Sequence, residues 1–371
     1  MKTFCSSAAV RVALVGLGAM ALPTGCQPAG AAPHSASPSV APSPSASATV
    51  VPVPQFTTFP LPKSGNPLPA EATVGPDGAV WYSDDGNPLR IGRVSSTGAV
   101  ETHQLPGSQF SAPAFITAGP DGALWFTRRG GGNVVARMSV AGQYAEFPLP
   151  AHPTGPEGIT LGPDGALWFT ESVGNRIGRI TTAGQVTEFP LPAATDVQCG
   201  QLCPGDIEVG GDGALWFVNT QLTGVPGIGR ITTSGAISTY EIPGRSVPAA
   251  ITAGKDGNMW FAEARGPGLG RITPAGQVVE FTVPGLAGAP VAVRSLVAGP
   301  DGGVWFTLSA APGDPNPSAA ARPGQLGRID PSGNVTLFTP PGEGTSGPIV
   351  RVQDGSLWAF GQQTVTRITV R

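Results

Sequence analysis

Charge, histidine and cysteine are all scarce in this chain. Only 12% of its 371 residues are charged, and the formal net charge is −3. Such a chain has no basic field to attract a nucleic-acid backbone, which excludes that class of partner. Three histidines (His34, His103, His152) and four cysteines (Cys5, Cys26, Cys199, Cys203) leave little from which to build an imidazole and thiolate metal centre. The apolar run near the N-terminus, residues 12–22, is too short to span a bilayer comfortably.

Glycine and proline, by contrast, are abundant, at 54 and 41 residues. Without a period, that share would predict disorder. Here it is periodic. Asp-Gly, two residues and Trp recur at Asp77-Gly78 to Trp81, Asp121-Gly122 to Trp125, Asp164-Gly165 to Trp168, Asp212-Gly213 to Trp216, Asp256-Gly257 to Trp260, Asp301-Gly302 to Trp305 and Asp354-Gly355 to Trp358. All seven tryptophans occupy this position, at intervals of 44, 43, 48, 44, 45 and 53 residues. A period in the forties with strand-type sequence predicts radial repetition. Seven copies predict an all-β fold, a seven-bladed β-propeller.

The third copy shows how one cassette makes one blade. Residues 159–161 read as an innermost strand, 166–170 as a second, 176–181 as a third and 186–189 as an outer strand. Pro163-Asp164-Gly165 predicts a tight hairpin of the primed type. The unbroken apolar run of the second strand predicts burial on both faces, where blades stack. Pro190 and Pro192 are expected to end the outer strand, since proline cannot donate to the ladder. The last copy runs out after three strands, at 349–352, 356–360 and 365–370. Residues 55–62 read as an outer strand with no blade of their own. The N-terminal strand is therefore expected to complete blade seven and close the ring. Arginine also repeats, at Arg93, Arg179, Arg230, Arg271 and Arg328, with weaker versions at Arg137 and Arg367. Seven copies of one chemistry predict a structural guanidinium that satisfies carbonyls or a turn Asp.

Residues 1–25 read as a lipoprotein-type signal peptide, 26–50 as a Cys-anchored linker rich in Ala, Pro and Ser, and 51–371 as the propeller. Lys2 and Arg11 supply a positive n-region, residues 12–22 an apolar h-region, and Gly25-Cys26 a small residue before a cysteine. Lipidation is expected at Cys26. Pro23 stands where such leaders usually carry Leu, and ordinary secretion is the alternative. The linker has too little apolar surface to bury a core. Cys199 and Cys203 are the remaining pair in the folded part, expected to form a small disulfide in an oxidising exterior. The resulting expectation is an extracytoplasmic monomer held at the membrane by its lipid alone.

Gly162-Pro163-Asp164-Gly165-Ala166-Leu167-Trp168-Phe169-Thr170-Glu171, with Asn175-Arg176-Ile177-Gly178-Arg179-Ile180-Thr181 and Thr187-Glu188-Phe189-Pro190-Leu191-Pro192, strongly resembles the virginiamycin B (streptogramin B) lyases. The resemblance extends over residues 55–371. It implies a seven-bladed propeller and a Mg²⁺-assisted elimination that opens a cyclic depsipeptide antibiotic. It further implies a Pro-His before the innermost strand of blade six, a Glu-Pro-His before that of blade seven, and a Glu four residues after the last Trp. There the His would take a proton and the carboxylates would hold the metal. This chain has Val293-Arg294, Gly347-Pro348-Ile349 and Gln362 at those places. Across the blades the His position reads Ala70, Ala114, Glu157, Gly205, Ala249, Arg294 and Ile349. No catalytic residue, resident metal or cofactor is therefore assigned, with Mg²⁺ entering only under a lyase-like alternative.

Function in a propeller usually lies at the channel mouth. The candidate ligand-binding residues there are Arg128, Glu157, Glu171, Asp206, Glu263 and Arg294. With Asp84, Asp85, Arg129, Asn219 and Arg265 they form a mixed-charge rim suited to a peptide, glycan or protein ligand. Residues 309–325 are extra relative to the regular blades, and read as a lid, a partner contact or a tolerated insertion. The expected function is a lipid-anchored binding or scaffold propeller. The alternative is a lyase-like or lactonase-like metal enzyme using Glu157, Asp206 or Glu263 as ligands.

Overall fold

Each Asp-Gly-x-x-Trp cassette folds into one four-stranded antiparallel sheet, and seven such sheets are present. The computed structural model describes residues 53–62, 69–106, 111–130, 133–150, 154–192, 204–222, 225–264, 268–284, 291–310 and 324–370. The expected signal peptide and linker, Cys26, Cys199, Cys203, His34, His152, Arg265 and most of the 309–325 insertion lie outside the described residues.

Blade three is representative, with strands Pro156–Leu161, Leu167–Glu171, Arg176–Ile180 and Val186–Pro190 pairing in chain order. The innermost strands of neighbouring blades touch in an unbroken ring, from blade one round to blade seven and back. The ring closes as expected. The N-terminal strand Pro54–Pro60 lies antiparallel to the C-terminal strand Thr364–Val370, with Pro54 opposite Val370 and Pro60 opposite Thr364. Neither chain end therefore leaves blade seven short of its fourth strand.

Two local expectations need correction. The Asp-Gly hairpins are not primed turns. The Gly78 N–H donates to the Gly75 carbonyl, and of the turn residues only Gly78 enters the left-handed region, at φ 76°. Pro76 and Asp77 thus sit at the centre of an ordinary turn that ends in a glycine bulge, the three-residue hairpin solution. Nor does Pro190 end its ladder. It pairs opposite Arg176, and Leu191 N–H still donates to the Asn175 carbonyl. Proline is tolerated there because this strand is an outer edge.

The turn aspartate has a second role. In blades one to six one carboxylate oxygen accepts the indole N–H of the Trp four residues on, at 2.9–3.2 Å. In blades one to four the other oxygen accepts Nε of the third-strand arginine at 2.6–2.7 Å, and Arg328 holds Asp301 in the same way. The recurrent arginine is therefore structural, as its repetition predicts. The tryptophans are 0–2% exposed and pack against the following blade, Trp81 against Leu124 and Phe126 for example. An outer-strand ring stacks on each, from Phe59 on Trp358 to Phe338 on Trp305, at 5.1–5.6 Å.

Blades are also stapled to each other. Ser83, Thr127, Thr170 and Thr307, each two residues after the Trp, donate to the Ala114, Glu157, Gly205 and Gly347 carbonyls of the next blade. Asp212→Ala should cost about 1–3 kcal/mol by leaving a buried indole N–H and a guanidinium without their acceptor. Asp354→Ala should cost less, because Asp354 does not hold Trp358. Urea midpoints of the two variants against the parent check both expectations.

Candidate functional site

The innermost strands bend at one place. In blades two, three, five and six a β-bulge lies opposite the residue two after the Trp. It turns out Ala114, Glu157, Ala249 and Arg294 respectively. Equivalent backbone bonds place Ala70, Gly205 and Gly347 in the other blades: their N–H groups donate to the Ser83, Val218 and Phe360 carbonyls. The blade-seven counterpart is thus Gly347. Ile349 lies two residues further along and pairs with Ala359 inside the strand. None of the seven bulge residues is a histidine.

Two of the six candidates, Glu157 and Arg294, stand in this bulge row beside the axis, and a third, Asp206, is one residue beyond Gly205. Arg129 Nε donates to Glu157 at 2.7 Å. Both oxygens of Asp206 accept backbone N–H groups, of Ile207 and of Ile251 in the next blade, each at 2.9 Å. Arg294 reaches from blade six to the Ala70 carbonyl of blade one, at 2.8 Å. Beside the row, next to Ala70, is Glu71, which sequence reasoning passed over because it lies one residue beyond the family's histidine position. Its signal was visible: Glu71 and Asp206 occupy the same place in their own blades. The two influence each other across the ring. Burial and then Glu71 hold Asp206 well above its ordinary carboxyl range, partly offset by the Ile251 N–H. Burial also raises Glu71, opposed by Arg294 and Arg129, and raises Glu157, opposed by Arg129. Glu208, one turn of the pleat further in, is pushed up to about 7 by burial.

The other three candidates are not brought to the axis. Arg128, Glu171 and Glu263 each follow the Trp by three residues and point along their own blade towards the outer strand. Arg128 is 2% exposed and binds the Ser111 and Pro106 carbonyls, Tyr144 and Glu146. Glu171 faces Glu188 and Arg176: burial first, then Glu188, push it up to about 8. Glu263 faces Glu280, and burial with that neighbour raises it to about 6, against a hydrogen bond from Ser246.

The model of the Virginiamycin B lyase family matches residues 50–197 and 195–371. Three solved structures show the same likeness over 86% of this chain. A streptogramin B lyase is 28% identical over 98% of its own length, with a TM-score of 0.71. A virginiamycin B lyase from Staphylococcus aureus is 28% identical over all of its length, at 0.72. A catalytically inactive histidine-to-alanine variant of the Staphylococcus aureus enzyme, with quinupristin, is 30% identical over all of its length, at 0.71. No curated protein matches the chain. Magnesium, which the resemblance implies, requires several convergent oxygen ligands. Among the described residues no group of three His, Cys, Asp or Glu converges in that way. Asp206 has committed both oxygens to backbone N–H groups, and Glu157 is held by Arg129. This donor set does not fit a bound Mg²⁺.

The raised carboxyls set a pH dependence. Glu171, Glu208 and Glu263 hold protons in the folded chain up to about 8, 7 and 6, against 4.5 ordinarily. Between pH 4.5 and 8 the folded state therefore binds more protons than the unfolded state, and stability falls as pH rises. The turn aspartates act oppositely, but only below their ordinary 3.8. The melting temperature should be higher at pH 5 than at pH 8. Glu171→Gln should raise it at pH 8 and flatten the slope, as read by calorimetry across that range.

Proposed function

The chain belongs to the virginiamycin B lyase family, and from that premise we propose that it is a lipid-anchored, extracytoplasmic binding or scaffold propeller that does not perform the family's elimination. Residues 1–25 are its leader, Cys26 its lipid acceptor, 26–50 its tether and 51–371 its propeller. The observation that carries this reading is the bulge row: Ala70, Ala114, Glu157, Gly205, Ala249, Arg294 and Gly347 offer no imidazole beside the axis. In the Staphylococcus aureus enzyme, loss of one histidine accompanies loss of catalysis. Here His103, the histidine among the described residues, stacks on Trp81 at 5.6 Å in an outer-strand position. It does the packing job of Phe147 and Phe189 and stands far from the bulges.

The mouth supports binding in its own right. A guanidinium has five donors. Arg294 gives one Nη2 hydrogen bond to Ala70, and Arg129 is half exposed beside Glu157. Together with Glu71 these groups offer both donors and acceptors to a polar, peptide-like ligand.

Purified protein incubated with quinupristin and Mg²⁺ should leave the antibiotic intact. Elimination would not change its mass, so chromatographic retention is the readout. A linear product would overturn the reading. A thermal-shift series with Mg²⁺, Ca²⁺, Mn²⁺ and Zn²⁺ separates the metal-enzyme alternative. A cation specific for the folded form, at a hundred times its Kd, would stabilise by about 2.7 kcal/mol. No such shift is expected. Cys26→Ser should move the protein from the detergent phase to the aqueous phase on Triton X-114 partition of cells.

A further inference from the structure

The seam between blade seven and blade one is built differently from the other six. In blades one to six a glycine precedes the Asp-Gly turn, and a Cβ there would lie only 2.3–2.6 Å from the indole. That glycine lets the Trp lean onto the turn aspartate. In blade seven the position is Val352. Asp354 accepts the N–H and hydroxyl of Ser356 instead. Trp358 is 2% exposed, yet its N–H has no hydrogen bond among the described residues. That N–H is open to the adjoining space, where an acceptor can reach it. Arg367 also shifts, with Nη2 on Asp354 and Nε on Ser356. In blades one, three, four and five the equivalent arginine stands over its Trp ring at 5.4–6.0 Å.

Blade one recedes from the same seam. Its two residues facing Trp358 are Val80 and Val94. The matching pairs elsewhere are Leu124 and Met138, Leu167 and Ile180, Leu215 and Ile231, Met259 and Ile272, Val304 and Ile329, and Leu357 and Ile368. Small residues on one side and a displaced indole contact on the other leave a cavity of about 200 Å³. Its lining includes Val80, Val94, Val352 and Trp358, the polar Ser96 and Gln353, and the Asp354–Arg367 pair. It lies at the Asp-Gly-turn end of the blades, the opposite end from the bulge row.

We propose that this seam cavity is a binding site for a small phenolic molecule. Cavities of about 150 Å³ lined by aliphatic side chains accept benzene, and in this pocket, partly open to solvent, three valines and an indole offer a phenyl ring an apolar wall to rest on. The hydroxyl is the matching polar part. Its oxygen takes the Trp358 N–H, and its proton goes to the Asp354 carboxylate, which is half exposed. An apolar wall with a few convergent polar groups is the usual make-up of a small-molecule site.

The test uses p-cresol and the ¹⁵N-labelled full chain, whose seven indole N–H signals are counted by its seven tryptophans. Trp358→Phe assigns the relevant signal. The Trp358 signal should shift saturably with p-cresol while the other six stay in place. Toluene, which lacks the hydroxyl, should bind at least about threefold more weakly, as loss of one or two hydrogen bonds implies. Val80→Leu, Val94→Ile and Val352→Gly together rebuild the seam in the pattern of blade three. That variant should keep or raise the melting temperature and lose the p-cresol response. An unmoved Trp358 signal, equal affinity for toluene, or undiminished binding by the folded triple variant would each overturn the proposal.

Discussion

One carboxylate per blade holds this molecule together. The turn aspartate ends the first hairpin, accepts the indole N–H of the second strand and takes the guanidinium of the third. Three of a blade's four strands are thereby fixed to a single side chain. Charge-assisted hydrogen bonds are the stronger kind, and here they sit at the edge of a close-packed interface. The indole and guanidinium hold Asp77, Asp164 and Asp212 below the ordinary carboxyl range despite burial. A chain with 12% charged residues has thus placed five aspartates and five arginines in one repeated constellation, in blades one to four and six. The constraint propagates to glycine: the indole can reach the carboxylate only where no Cβ intervenes. Blade seven breaks that condition with Val352, and there the turn aspartate turns to Ser356 in place of the indole.

The hydroxyl staples between blades form a second, less complete series, interrupted at Val218, Ala262 and Phe360. Val218 has no hydroxyl to offer blade five, and at that seam Asp206 accepts the Ile251 N–H. Phe360 has none to offer blade one, and the Ala70 carbonyl is taken by Arg294. Ser295 supplies a further link to blade seven through the Ile349 N–H. Asp206 thus bridges the seam between blades four and five, while Arg294 spans from blade six to blade one past blade seven. Buried polar groups of this kind are costly unless paired. The pairing of Arg294 with a carbonyl rather than a carboxylate leaves Glu71 as the less committed acid of the mouth.

Blade number, strand order and ring closure were legible in the sequence because the Asp-Gly-x-x-Trp cassette fixes the spacing of all four strands. The site was legible only in part. Residues at Trp plus three and residues at the bulge both fall at the same end of a blade, and a strand pattern does not tell which points to the axis. The structure separates them: Glu157, Asp206 and Arg294 face inward, whereas Arg128, Glu171 and Glu263 meet Glu146, Glu188 and Glu280 of their own outer strands. Glu71 was hidden because it stands one residue beyond Ala70, the position that the resemblance singles out. The longer approach to blade seven hid Gly347 behind Ile349. The Gly-Pro-Asp-Gly turn was misread because Asp-Gly suggests a primed turn, while the preceding proline favours the first central position of an ordinary one.

The separation of frame from axis has a consequence for activity. Every residue that holds the blades lies between strands, and no bulge side chain is needed for that packing except where it bridges a seam. Substitution at the axis therefore costs the fold little, and identity near 28–30% with the lyases is compatible with a different set of axial groups. His103 illustrates the converse. It is retained as a flat ring against Trp81, interchangeable in that role with phenylalanine and tyrosine. An imidazole there contributes stacking and no proton transfer at the channel. The titratable groups at and beside the bulge row are Glu71, Arg129, Glu157, Asp206 and Arg294, a set of carboxyls and guanidiniums. Burial raises all three acids, while Arg294 and Arg129 oppose that rise at Glu71 and Arg129 opposes it at Glu157.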